Sequence, residues 1–304
     1  MLKRLFKVSC GVILAAMIAL IPLTNHHVLA ASSKPIQVVT SLDFYGEAAS
    51  QVAGKYGHVT SIINSTSIDP HNYHPGTKQA RQVAKANVVI ENGLDYDPWL
   101  KKLARNNHHK DLQVVNVGKS VAHKKVGDNE HVWYRPATMP ALANKLADKY
   151  SKLDPAHADY YHQNAQKYAQ SLQPIDEKVQ QIKKNVNPQR NKVAVSEPVF
   201  DYALSATGYQ VADKHFEKAI EDETDPSPKD IRNIKNEMKN HQLAFFVENS
   251  QTSDKVVNNL VKYAKKHHTP ILKVTESKPH GKTYSEWMMS QYDQLAKIQQ
   301  QENK

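Results

Sequence analysis

Four side chains that can bind a metal ion lie far apart in this sequence: His71, His131, Glu197 and Glu276. Each follows a predicted strand or turn at the point where a loop begins. Two imidazoles and two carboxylates together suit a borderline or hard divalent ion such as Mn²⁺ or Zn²⁺. Because two of the four come from each half of the chain, we predict one metal ion clamped between two halves rather than a hydrolytic centre on a single element.

The first histidine lies in a short loop with a proline on either side. The segment reads Asp69-Pro70-His71-Asn72-Tyr73-His74-Pro75, and its prolines restrict the backbone around His71. We expect Asp69 to orient an imidazole by accepting its second N–H, a common role of carboxylates behind metal ligands. His74 could support the site in the same way or compete as a ligand. Taken alone, a histidine in a turn is more often a surface residue.

The two glutamates come directly after predicted strands. Glu197 follows the strand over 192–196, and Glu276 follows the strand over 270–275. Ligand sites of open α/β sheets gather beyond the carboxyl ends of their strands, so both carboxylates have a suitable place. His131 lies in the segment EHVWY, where strand-like alternation would point His131 and Trp133 the same way. We expect Trp133 to pack in the core.

The N-terminal 30 residues have the pattern of a secretory signal peptide. A basic start, MLKRLFK, is followed by an apolar stretch from Val8 to Leu23 and by small residues before a cleavage site at Ala30. The alternative is an uncleaved membrane anchor, although the apolar run is short for a span of about 20 residues. In both cases we expect the rest of the protein on the outer side of the cytoplasmic membrane, at the cell surface or extracellular.

Cysteine usage and charge exclude several classes of function. The one cysteine, Cys10, would be lost with the signal peptide and lies too early for lipid attachment, so any metal must have N and O ligands. Cleavage would remove three positive charges, so the net charge of +10 would become +7. The basic residues are scattered and no nucleic-acid-binding motif is present, so we expect no nucleic acid partner. A solvated surface is the simplest explanation of the charge.

The order of apolar runs and helical patterns predicts an α/β protein with two lobes. Strands are predicted at 36–40, 59–63, 88–91, 112–117, 192–196, 209–212, 243–248 and 270–275, and helices at 43–54, 77–86, 95–105, 199–207, 228–240 and 252–267. This alternation is typical of parallel sheets. We therefore predict two lobes, each with a mostly parallel four-stranded sheet flanked by helices and joined by one long interlobe helix. The N-terminal lobe is predicted at 31–150 and the C-terminal lobe at 189–304. The linking helix is predicted at 151–188, with a kink at Pro174.

Six segments together resemble one protein family. They are DPHNYHP followed by VVIENGLDYDPWLKKL, then EHVWYRP, SEPVFDY, DPSPKDI and VTESKP, in the order found in metal-binding solute-binding proteins of zinc/manganese ABC importers. The resemblance extends over nearly all of the chain after residue 30. It implies two α/β lobes joined by a rigid helix and one metal between them. It also implies His71, His131, Glu197 and Glu276 as the four ligands, and a membrane permease as the partner.

Three departures from the family pattern bear on the metal. His74 stands where the family often has an acid, and Glu276 stands where it often has aspartate. The segment over 124–129 is short and poor in ligands, whereas many zinc members carry a His/Asp-rich loop there. Two carboxylates favour Mn²⁺ as cargo, with Zn²⁺ close behind and iron as a further alternative, although the Irving–Williams order favours zinc.

Other functions remain open at this point. A surface adhesin fits export and positive charge, and a secreted metallohydrolase could use the same ligands. The sequence contains neither HExxH nor GxSxG, and four protein ligands would close the coordination shell, so we expect no enzyme activity. We expect a monomer, and we interpret the acidic run Glu221-Asp222-Glu223 as an exposed loop that could contact the permease.

Overall fold

Strands and helices alternate along the part of the chain that the computed structural model describes, residues 34–302. The predicted signal peptide and Cys10 lie outside these residues. The strands are β1 (Ile36–Leu42), β2 (Gly57–Ile63), β3 (Val88–Glu91), β4 (Gln113–Asn116), β5 (Lys192–Val195), β6 (Gln210–Val211), β7 (Phe245–Asn249) and β8 (Ile271–Val274). All lie where the sequence predicts a strand, with ends that differ by a few residues.

The helices fill the connections between these strands. They are α1 (Asp43–Ala53), α2 (Thr77–Ala84), α3 (Pro98–Arg105), α4 (Val117–Ser120), α5 (Thr138–Leu153), α6 (Ala158–Ser171), α7 (Gln173–Asn185), α8 (Asp201–Thr207), α9 (Lys214–Glu221), α10 (Pro228–Lys239), α11 (Lys255–Lys266) and α12 (Tyr284–Glu302). The six helices predicted between strands are confirmed. Helix α9 is not among the predicted elements. No helix of residues 34–302 is long and apolar enough to cross a membrane.

Two parallel sheets of four strands confirm the predicted fold. Their strand orders are β2-β1-β3-β4 and β6-β5-β7-β8, so the second sheet repeats the topology of the first. All pairs are parallel; for example, Val38 of β1 lies opposite Val59 of β2 and Val88 of β3. Because the strands of a parallel sheet end at one edge, the loops after β2, β3, β5 and β8 can meet in the cleft between the lobes.

The link between the lobes consists of two helices. Helix α6 packs on α1 and α5 of the first lobe, whereas α7 packs on α8 and α12 of the second. The two meet at Leu172, beside Pro174, which lacks the N–H that a continuous helix needs. The helical pattern predicted for this segment is therefore present, and it is interrupted at the predicted kink.

Direct contacts also hold the two lobes together. The Tyr134 hydroxyl donates to the Thr275 carbonyl at 2.6 Å, and the Tyr284 hydroxyl donates to the Trp133 carbonyl at 2.6 Å. Lys278 and Asp43 form an ion pair of 3.0 Å across the same boundary. Trp133 is fully buried, which confirms its packing role. Residues 34–302 accordingly form one compact unit, and these contacts oppose a wide opening of the lobes.

Helix α9 is fixed to the second lobe by one apolar and one acidic contact. Phe216 and Ile220 enter a core cluster together with Ile234 and Met238. On the same helix Glu217 is only 4% exposed and lies against Asp201. Burial, together with the charge of Asp201, raises the pKa of Glu217 to about 9, so the carboxyl group keeps its proton in the folded protein. This contact adds to the apolar anchoring of α9 by Phe216 and Ile220.

We predict that Glu217 makes the apo protein less stable as pH rises. The unfolded chain loses the Glu217 proton near pH 4.5, but the folded protein keeps it until about pH 9. The folded state therefore binds more protons over this window, and its stability falls with rising pH. Glu217→Gln, which keeps a donor toward Asp201, should reduce the loss of unfolding free energy between pH 5.5 and 8 by at least about 1 kcal/mol.

Urea unfolding at the two pH values measures this difference. Glu177→Gln on α7 is the matched control, because Glu177 is exposed. An unchanged pH dependence in Glu217→Gln would contradict the proposed buried proton.

Candidate metal centre

Four ligand-type atoms face one another in the cleft between the lobes. Each carboxylate oxygen lies between 3.7 and 3.9 Å from both imidazole nitrogens; the atoms are Nε2 of His71, Nε2 of His131, Oε1 of Glu221 and Oε1 of Glu276. Two ligands that are each about 2.1 Å from one ion can be at most about 4.2 Å apart. The four imidazole–carboxylate separations fall within this limit, so each of the two carboxylate oxygens could share a metal ion with either imidazole.

His131 is the most deeply buried of the four facing side chains. Its side chain is fully buried, and it directly precedes the 3₁₀ turn Val132–Tyr134. Asn129 Oδ1 accepts the ring Nδ1–H at 2.9 Å and the backbone N–H of His131 at 2.9 Å. Because Asn129 Nδ2 donates to the Pro198 carbonyl, the amide orientation is fixed. The ring is therefore the tautomer whose Nε2 lone pair points into the cleft.

His71 is held by its loop and is 35% exposed. Asp69 Oδ1 accepts the backbone N–H of His71 at 2.8 Å, so Asp69 orients the loop and not the imidazole as expected from the sequence. Trp99 Nε1 donates to the Pro70 carbonyl at 3.0 Å and fixes the loop from below. The exposed face of His71 places it at the solvent side of the cluster, whereas His131 lies at its base.

Tyr96 connects the first lobe to Glu276 of the second. Its hydroxyl donates to Glu276 Oε1 at 2.6 Å, the same oxygen that faces both imidazoles. The preceding loop is strained, with positive φ at Gly93, Leu94 and Asp95. The buried carboxylate of Asp97 holds this loop by accepting the N–H groups of Asn92 and Gly93 at 2.7 and 2.8 Å. The strained turn therefore directs the Tyr96 hydroxyl toward Glu276 Oε1.

Glu197 lies beside the cluster without being one of its four facing atoms. It directly precedes the 3₁₀ turn Pro198–Phe200 at the end of β5, and it lines the same cavity as His71, Glu221 and Glu276. Its Oε2 accepts a short hydrogen bond from Asn249 Nδ2. Burial raises the pKa of Glu197, although the Asn249 hydrogen bond opposes the shift. A ligand role for Glu197 requires a movement away from Asn249.

The comparisons with known proteins decide the family. The model of the family described as zinc-uptake complex component A, periplasmic, matches residues 38–298. This chain belongs to that family of metal ABC transporter substrate-binding proteins. It is 26% identical over 284 residues to the metal ABC transporter substrate-binding lipoprotein FimA of Streptococcus parasanguinis, covering 87% of this chain and 89% of that protein.

A second relative and a solved structure agree with this assignment. The manganese ABC transporter substrate-binding lipoprotein PsaA of Streptococcus pneumoniae is 24% identical over 233 residues, which cover 72% of this chain and 74% of PsaA. The Mn-bound periplasmic metal binding protein of Candidatus Liberibacter asiaticus has the same fold, with a TM-score of 0.69 and 19% identity, over 87% of this chain and 100% of that one. The named relatives of the family are substrate-binding proteins, not enzymes.

The structure shows that the interpretation of Glu221 as part of an exposed loop is wrong. Glu221 is the last residue of α9, and its side chain is only 9% exposed. Asp222 and Glu223 are exposed, as predicted. The sequence signal that could have revealed α9 is its N-cap Asp213 followed by Phe216 and Ile220 four residues apart, which puts Glu217 and Glu221 on neighbouring turns.

His74 takes a place apart from the cluster. It is exposed and is not among the residues that line the cavity in front of the ligands. The structure thus brings together three of the four predicted ligands, His71, His131 and Glu276. It places Glu197 next to them and adds Glu221.

The pKa values of the side chains at the site are shifted in different directions. Burial opposes ionisation of Glu276, but the two imidazoles and the Tyr96 hydroxyl outweigh it and lower its pKa. Burial and the carboxylates of Glu130 and Glu276 hold the pKa of Glu221 well above its usual range. Burial lowers the pKa of His131, which favours the neutral form that a metal needs. A divalent cation would relieve the repulsion among the carboxylates.

We predict that Asn129→Ala weakens metal binding about 10–100-fold, because the His131 ring would lose the acceptor that fixes its tautomer and orientation. Competition titration of the apo protein with Mn²⁺ or Zn²⁺ measures the affinity. Asn259→Ala on α11, an exposed position, is the control and should bind like the wild type. Wild-type affinity in Asn129→Ala would show that packing alone holds the ring.

Proposed function

We propose that this protein captures a divalent transition metal ion, Mn²⁺ ahead of Zn²⁺, and delivers it to the permease of an ABC importer. The observation that carries the proposal is the convergence of His71 and His131 from one lobe with Glu276 from the other. Their ligand atoms lie within 3.9 Å of each neighbour across the cleft. The family assignment supports a role in metal transport, and PsaA is named as a manganese protein.

Capture would proceed from the exposed side of the cleft. The cavity in front of the cluster has a volume of about 800 Å³, enough for an ion that still carries water. His71, at the solvent side, would meet the ion first, and the buried His131 would complete its coordination. Glu276 supplies negative charge, and the Tyr96 hydroxyl fixes the oxygen that faces both imidazoles. Glu197 could replace a remaining water by leaving Asn249.

The donor set favours Mn²⁺ over Zn²⁺. Manganese prefers oxygen ligands and higher coordination numbers, and the carboxyl groups around the imidazoles can provide both. The named relatives are substrate-binding proteins, which supports a transport role over hydrolysis. We therefore infer a transport cargo and not a catalytic cofactor.

Delivery would involve small movements. The interlobe contacts of Tyr134, Tyr284 and Lys278 oppose a wide opening of the cleft. The permease would instead release the ion by displacing ligands at the solvent side, where His71 is most accessible. We propose that the protein works on the outer side of the cytoplasmic membrane, where its named relatives are lipoproteins or periplasmic proteins.

We predict one tightly bound ion per protein molecule. Protein purified without a chelating tag should carry one equivalent of metal, and His71→Ala and Glu276→Ala should each lower the affinity at least 100-fold. Elemental analysis and competition titration measure both quantities. Metal should raise the thermal unfolding temperature of the wild type, because binding to the folded state stabilises it, and this rise should be lost in the variants.

His280→Ala is a suitable control, since His280 is exposed and does not line the cavity. Wild-type protein without stoichiometric metal under any condition would contradict the proposal. Chelator-sensitive hydrolase activity would instead favour the enzyme alternative.

In cells, we predict that loss of this protein lowers the initial rate of manganese uptake. The wild-type gene should restore uptake of radioactive Mn²⁺, and the His71→Ala gene should not. Restoration by both genes would separate transport from this site.

A further inference from the structure

Two buried polar atoms from different elements face each other in the cleft without touching. They are Nε2 of the fully buried His131 and Oε1 of Glu221, and they lie 3.8 Å apart. Within residues 34–302 neither atom has a hydrogen-bond partner. Their separation exceeds that of a hydrogen bond, which ends near 3.2 Å for N–H···O. A buried polar atom without a partner is costly, and a ligand shared by these two atoms would remove that cost.

The same glutamate oxygen also faces the other histidine. Glu221 Oε1 lies 3.9 Å from His71 Nε2, so its geometry toward the two imidazoles matches that of Glu276 Oε1. The side chain of Glu221 is 9% exposed, less than the 16% of Glu276. By distance to both imidazoles and by burial, Glu221 therefore matches Glu276 as a candidate ligand.

Helix α9 holds Glu221 at this point. Phe216 and Ile220 anchor one face of the helix in the core, and Glu217 contacts Asp201 one turn before Glu221. These contacts keep the last turn of α9 against the cleft. The position of Glu221 is therefore fixed by the packing of a helix and does not depend on a loop. The neighbouring Glu130 lies close as well: one ligand atom each of His71, Glu130 and Glu221 fall within 4.8 Å of one another.

We propose that Glu221 is a direct oxygen ligand of the cargo ion and that it biases the site toward Mn²⁺ over Zn²⁺. The inference rests on the proposed metal capture and adds a ligand from α9 to those predicted from the sequence. An additional carboxylate makes the donor set richer in oxygen and raises the number of protein ligands. Both changes suit Mn²⁺, whereas Zn²⁺ is satisfied by four ligands.

The test compares Glu221→Gln and Glu221→Ala with the wild type and with Glu223→Gln. Glu223 lies two residues away in the same acidic run, is exposed and lines the outer part of the same cavity, so Glu223→Gln removes a nearby carboxylate without removing one of the four facing atoms. Each variant is titrated with Mn²⁺ and with Zn²⁺ in competition with a chelator. X-ray absorption at the manganese edge reports the ligands directly, and thermal unfolding of the apo proteins checks the fold.

We expect Mn²⁺ affinity to fall at least tenfold in both Glu221 variants and Zn²⁺ affinity to fall less. Glu223→Gln should remain within twofold of the wild type for both ions. The absorption spectrum of Mn²⁺-loaded Glu221→Ala should show a changed oxygen shell. Equal affinities in Glu221→Gln and Glu223→Gln would overturn the inference. So would a parallel loss of both metals with an unchanged manganese shell, which would indicate a distant charge effect.

His71→Ala separates this inference from the proposed function. If the wild type binds metal tightly, His71→Ala loses this binding and Glu221→Gln keeps it, the role of Glu221 is overturned and the proposed function stands. Absence of stoichiometric metal in the wild type overturns both.

Discussion

Several carboxyl groups are crowded around one buried point between the lobes, and their mutual repulsion determines what the surrounding structure must do. Glu276 stays ionised because two imidazoles and a tyrosine hydroxyl surround it. Glu221, a similar distance from the same imidazoles, keeps its proton more strongly because Glu130 and Glu276 are close. Such a group of charges is stable only when protons or a cation compensate it. A divalent ion bound as proposed would provide that compensation.

Because these carboxyl groups repel one another, hydrogen bonds in both lobes must hold the side chains of the cluster in place. In the first lobe, Asn129 fixes His131, and Asp97 holds the strained turn that directs Tyr96. Across the cleft, the Tyr134 hydroxyl bonds to the Thr275 carbonyl, immediately before Glu276. The interlobe contact and the ligand are thus adjacent in sequence. Any movement between the lobes at this contact would therefore also move Glu276 relative to the two imidazoles.

Much of the fold could be predicted because its signals are local. Strands such as Val88–Glu91 are short apolar runs between turn residues, and Pro174 marks the break between α6 and α7 through its missing N–H. The prediction of α9 failed because only Phe216 and Ile220 of its eight residues are apolar and buried, and the remaining residues are mostly charged. Its N-cap aspartate and its two apolar residues four apart are a short local signal, and a helix of this length also depends on its docking surface for stability.

The sequence by itself determined the two parallel sheets, the family resemblance and the loops that carry His71, His131 and Glu276. These features follow from apolar periodicity, from proline and from the rule that strands of a parallel sheet end at one edge. Only the tertiary structure decided which acid faces the imidazoles. Glu197 and Glu221 are equally able to bind a metal, but Asn249 engages the first and the docking of α9 turns the second into the cleft. The distances between side chains on different elements arise from packing, which no local pattern encodes.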